Sequence, residues 1–166
     1  IALEAASYLV EEGLPPKGLF LIASTRSSAA LPGGIRLGLK CLRLIGPKNA
    51  AKLRPWIRGR VIKREGLNEL DERLFRRMAE SVDIELVLWG AAAMLGWSCD
   101  ESRAKALAAK GVRIHQVHGD NDWAIPFRPG RADKVIHGGR HLINITHAEE
   151  VNEYLTCRMK EDASED

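Results

Sequence analysis

Two short apolar runs restrict the architectures open to this chain. Leu19-Phe-Leu-Ile-Ala23 is continuous and closely bounded, by Pro15-Pro16 before it and by the polar Ser24-Thr-Arg-Ser-Ser28 after it. That pattern predicts a buried strand rather than a helix. Val112-Arg-Ile-His-Gln-Val117 alternates and runs directly into His118-Gly119, predicting a second strand. Residues 1–12 are strong helix formers stopped by Gly13, and Ser102 to Lys110 form a short alanine-rich helix stopped by Gly111. A last short strand over Ala132 to Ile136 and a terminal helix from His147 to Met159, with Val151 and Leu155 pointing inward, complete the order. Strands separated by helices in this way predict an α/β fold with a parallel sheet. Ligands of such sheets bind at the carboxyl ends of the strands.

Between the first two strands, residues 28–97 read as helices only: Ile35 to Ile45, Lys48 to about Arg64 with Pro55 breaking or kinking it, Glu69 to Glu80, and Asp83 to about Trp97. The last is apolar nearly all round, which predicts a buried helix covered by neighbours. Its Leu86 to Trp97 run falls short of the roughly 20 residues that a membrane span needs. The expected organisation is an α/β core segment over 1–27, a helical cap or lid over 28–97 and a second core segment over 98–166. The acidic tail from Lys160 is expected to fray.

Charge is sharply segregated. From Arg26 to Arg64 there are eleven basic residues and no acidic one, leaving 14 basic and 22 acidic residues elsewhere. Arg36, Lys40 and Arg43 fall at i, i+4 and i+7, the polar face of a helix. The block has no interleaved aromatic stacking pattern, so no nucleic-acid partner is expected; a small anionic substrate is weakly suggested. Cys41, Cys99 and Cys157 are odd in number and widely spaced, which argues against a disulfide framework or zinc site and for reduced thiols in a cytoplasmic protein.

His118-Gly-Asp-Asn-Asp-Trp-Ala-Ile-Pro126 puts carboxylates in the loop after one strand, and Gly138-Gly-Arg-His141 puts an imidazole in the loop after the next. That is the placement that holds a histidine base in a nucleophilic triad. No Gly-x-Ser-x-Gly occurs in the sequence. The nearest imitation, Gly96-Trp-Ser98-Cys-Asp100, ends in Asp100 instead of Gly and has no strand ahead of it. A metal site of His118, Asp120, Asp122 and His141 is the alternative chemistry, whereas His115 and His118 face opposite sides of a strand and cannot share an ion. His137 and His147 read as surface or capping residues, with Thr146 an N-cap ahead of Glu149. Trp89 and Trp97 read as core packing or as the lining of an acyl pocket, and Trp123 as a ring packed over the acid or shielding it.

Gly119-Asp-Asn-Asp122-Trp-Ala-Ile-Pro126 resembles the Gly-x-x-Asp-x-x-hydrophobic-Pro signature of the α/β-hydrolase fold. Gly138-Gly-Arg-His141-Leu-Ile-Asn, with Ala148-Glu-Glu-Val-Asn152 beyond it, is similar to that family's histidine loop and final helix, and Ile1-Ala-Leu-Glu-Ala-Ala to the helix that follows its nucleophile elbow. The resemblance implies a partial α/β-hydrolase fold: the last three parallel strands, flanking helices and a helical cap insertion. It implies Asp122 as triad acid, with Asp120 as competitor, and His141 as general base. It also implies a serine nucleophile upstream of Ile1, so that these residues are the C-terminal portion of a serine hydrolase acting on an ester or similar small acyl substrate, inactive without its N-terminal part. No cofactor is called for. The alternative function is a non-catalytic binding or interaction module of the same fold.

Overall fold

The computed structural model describes residues 2–97 and 101–164. In chain order the elements are α1 (Ala2–Glu11), β1 (Gly18–Ile22), a 3₁₀ turn (Ser28–Ala30), α2 (Gly33–Leu44), α3 (Gly46–Glu65), α4 (Glu69–Ser81), α5 (Ile84–Gly96), α6 (Glu101–Ala109), β2 (Arg113–Gly119), β3 (Lys134–Ile136), α7 (Ile143–Thr146) and α8 (Ala148–Ser164). The chain divides into two compact units, Ile1–Ala30 with Ser98–Asp166, and Leu31–Trp97. No helix among the described residues is long and apolar enough to cross a membrane.

The first unit is a mixed α/β layer structure around a parallel sheet in the order β1-β2-β3. Phe20 pairs with His115 and Ile22 with Val117 across the first ladder, and Val117 pairs with Lys134 and Gly119 with Ile136 across the second. Because side chains alternate along a strand, Ile22 and Val117 share one face. There they meet Ile136, Ile143 and the helix residues Val151, Tyr154 and Leu155 in one apolar cluster. Leu21, on the other face, is also buried, as are Leu3 and Ala6 of α1 and Leu107 of α6. An ion pair between Glu4 and Arg103 at 2.6 Å links α1 to α6.

The acidic tail does not fray where expected. α8 continues to Ser164, and Asp162 is buried against the sheet, with Oδ1 2.9 Å from Arg113 Nε and Oδ2 2.9 Å from His115 Nε2. Gly18 makes room for it, since a Cβ there would sit 2.5 Å from the Asp162 carboxylate. An arginine and a histidine on β2 thus hold the last turn of a helix whose composition alone suggests an exposed end.

The second unit is made of α2 to α5. α3 runs through Pro55 as one helix, so of the two expectations, a break or a kink, the break does not occur. The N-termini of α4 and α5 are capped by Asn68, which accepts from Asp71 N, and by Asp83, which accepts from Glu85 N. Arg58 pairs with Glu80 at 2.6 Å and Arg54 donates to the Val82 carbonyl, so part of the basic block is used to tie α3 to the end of α4. α5 is not the buried helix its composition predicts. It packs on α2 and α3, and two neighbours cover only a stripe of a helix that is apolar all round. Leu86 remains 59% and Trp89 55% exposed, so Trp89 does not pack a core.

Replacing Asp162 by Ala should destabilise the fold by about 2 kcal/mol, because it strands a guanidinium and an imidazole on the sheet. Urea titration of both proteins measures it, and a loss within about 0.5 kcal/mol of zero would mean the carboxylate is not an anchor.

Candidate active site

Two loops at the carboxyl end of the sheet are stapled together by main-chain bonds. Asp120 N donates to Ile136 O at 3.2 Å and Asn121 N to Gly139 O at 2.9 Å, while Gly139 N closes its own turn on Ile136 O at 3.1 Å. Such close approach requires glycine. A Cβ on Gly119 would overlap the Gly139 carbonyl, and Gly138 turns with φ +73°, a conformation that costs other residues energy. The loop after β2 and the loop after β3 therefore hold a fixed separation, and a buried carboxylate of the first faces an imidazole of the second.

Those side chains are Asp122 and His141. His141 Nδ1 lies 3.0 Å from Asp122 Oδ2, and because a carboxylate only accepts, Nδ1 carries the proton and Nε2 keeps its lone pair. The Asp122 side chain is fully buried and His141 is 32% exposed. The other carboxylate oxygen, Oδ1, accepts from Ala124 N and Ile125 N, both at 2.8 Å, so the acid also closes its own loop. Trp123 lies edge-on to His141, ring centroids 6.4 Å apart.

A second imidazole reaches the same carboxylate. His118 Nε2 donates to Ile125 O at 2.8 Å and lies 3.3 Å from Asp122 Oδ2. Burial favours neutral forms for both groups, but the contacts outweigh it in each. His118 is raised above its ordinary pKa by its bond to Asp122, the Ile125 carbonyl and the Asp122 charge. Asp122 is held far below the carboxylate range by hydrogen bonds from His118 and His141 and by the Ile125 N–H. The sequence singles out His118 only as a metal ligand, and its role as a second donor to Asp122 depends on the loop folding back. Among the described residues no group of three His, Cys, Asp or Glu side chains could hold a metal ion.

Asp120 faces away from His141. Its Oδ2 is 2.9 Å from His137 Nδ1 and its Oδ1 accepts from Gly138 N at 2.7 Å. These bonds lower its pKa, the His137 contact most. His137 itself is 90% exposed. Thr146 does not cap α8: its hydroxyl donates to Leu142 O and meets His147 Nδ1 at 2.9 Å. Cys41 and Cys157 are free and exposed. Ser98, Cys99 and Asp100 lie outside the described residues, and the element ahead of them is the helix α5.

Two outcomes follow from this geometry. Gly119→Ala should cost more than about 2 kcal/mol in a denaturant titration, well above the about 1 kcal/mol expected for Gly138→Ala at a positive φ; equal small losses would mean the loops are not locked. Asp122, whose folded pKa lies below its ordinary 3.8, stabilises the fold fully above that value and loses this contribution as pH falls through it. The raised His118 works the opposite way, its contribution complete below 6.5 and lost as pH rises through the folded value. Asp122→Asn should therefore flatten the fall of stability below about pH 4, and an unchanged acid limb would contradict the assignment. No protein-family model matches the chain, and no curated protein matches it.

Proposed function

We propose that Asp122 and His141 are the acid and base of a serine hydrolase of the α/β-hydrolase kind, acting on an ester or similar small acyl substrate. The observation that carries this reading is the 3.0 Å contact between Asp122 Oδ2 and His141 Nδ1. It joins a fully buried carboxylate to a partly exposed ring and leaves Nε2 as the basic nitrogen. In that arrangement Nε2 takes the proton of a hydroxyl as its oxygen attacks the acyl carbon, then returns it to the departing alcohol. The same nitrogen next takes a proton from the water that attacks the acyl carbon and gives it to the nucleophile's oxygen as the acyl–oxygen bond breaks and the acid leaves. Asp122 fixes the tautomer and stabilises the imidazolium formed in each half. The order of the strands and the two glycine-bearing loops support the reading.

No Gly-x-Ser-x-Gly lies in these 166 residues, so the reading requires the serine from residues outside them. The full polypeptide of the reading frame that contains this sequence should label covalently with a fluorophosphonate probe and lose the label when its elbow serine is changed to Ala. Failure of a folded full polypeptide to label would remove the hydrolase reading and leave a binding module. In the same polypeptide His141→Ala should lower ester turnover on the order of 1,000-fold or more. His137→Ala should change it by less than about 3-fold, since that ring serves only Asp120. Similar losses at both positions would undo the assignment of the base.

A further inference from the structure

A cleft opens beside the Asp122 loop, between the segment that follows β1 and the one that follows β2. It is lined, among others, by Ser24, Thr25, Arg26, His118, Arg128 and Arg131, with no carboxylate on its wall. We propose that this cleft binds the oxyanion group, carboxylate or phosphate, of a small molecule.

The first argument is uncompensated charge. Three arginines line one cleft, Arg26 half-buried and Arg128 and Arg131 exposed, and among the described residues none of the three is paired with a carboxylate. Like charges gathered in a concave site repel one another, and an anion relieves the repulsion while accepting their hydrogen bonds. The second argument is unmet hydrogen-bonding capacity. Arg26 Nε is buried without a partner. Buried polar atoms are ordinarily satisfied, so this orphaned donor, on a residue of the cleft wall, marks the place of a missing acceptor. Ser24 and Thr25 add hydroxyls to the same wall.

The rim is built to hold this shape. Ala23 turns the chain at the end of β1 with φ 42°, in the left-handed region that a non-glycine residue enters only under constraint. Gln116, buried on β2, donates from Nε2 to Ser24 O at 3.2 Å, while its backbone N–H donates to Asp133 Oδ2 at 2.7 Å and its carbonyl accepts from Asp133 N at 2.8 Å. The segments carrying Arg26 and Arg131 are thus fixed to the same residue of the central strand. Arg128 extends from the loop that Asp122 closes on itself through Ala124 N and Ile125 N.

The inference goes beyond the hydrolase reading and stands without it, because binding needs neither a serine nor an active His141. The test is equilibrium binding of radiolabelled inorganic phosphate and of radiolabelled succinate to the folded 166-residue chain at low, matched ionic strength. Saturable binding with a dissociation constant on the order of 1 mM or tighter is expected for at least one of them. Arg26→Gln and Arg128→Gln should each weaken it about 10-fold, with Arg43→Gln on α2 leaving it unchanged. Tighter phosphate binding would assign the site to a phosphorylated ligand and tighter succinate binding to a carboxylated one; both uphold the proposal. It is overturned if neither anion saturates the wild-type chain, if chloride at equal ionic strength displaces them, or if Arg43→Gln weakens binding as much as the cleft variants do.

Discussion

An ionised carboxylate with no access to water is the constraint around which the strand-end loops are arranged. Taking Asp122 out of solvent costs several kcal/mol unless its lone pairs are filled, and here four donors fill them: two main-chain N–H groups on Oδ1 and two imidazoles near Oδ2. Removing any one would leave the charge under-compensated. The loop after β2 must fold back on itself, the loop after β3 must come within hydrogen-bond reach, and His118 must turn towards Ile125. Gly119, where a Cβ would overlap the Gly139 carbonyl, is what lets the two main chains approach closely enough for this.

The same carboxylate distinguishes the histidines. His141 reaches it through Nδ1 and keeps an accessible Nε2, which is the geometry of a base. His118 reaches it through Nε2, is almost wholly enclosed and lines the arginine-bearing cleft. One carboxylate therefore holds both rings in fixed relation. A charge drawn into the cleft would act on His118 and, through Asp122, on His141.

At the opposite end of β2, Asp162 plays a comparable part for the fold. It joins the final turn of α8 to Arg113 and His115 and fills the space that Gly18 leaves. Both sites hold a buried acid, but Asp162 is compensated by groups far from it in the chain, whereas Asp122 takes three of its four donors from within four residues and only His141 from the next loop. The second unit also buries an acid, Glu65 of α3. There α4 and α5 are capped at their N-termini, and large apolar side chains such as Leu86 and Trp89 stay exposed.

By itself the sequence determined the strands, the helices and the parallel α/β order. Those follow from local periodicity, from Gly13 and Gly111 as helix stops, and from apolar runs too short for anything but buried strands. It also marked Asp122 and His141, because glycine spacing records where two loops must turn. It did not determine which partner each acid takes. Asp120 and Asp122 are two residues apart with the same chemistry, and only the docking of Gly139 against Gly119 sends one to His137 and the other to His141. Asp162 and Arg26 were unreadable for the same reason: the tail and the basic block look like solvated surface, and burial or charge compensation is settled by residues that meet only when the sheet assembles. The continuity of α3 through Pro55 and the exposure of α5 likewise belong to packing, which composition does not encode.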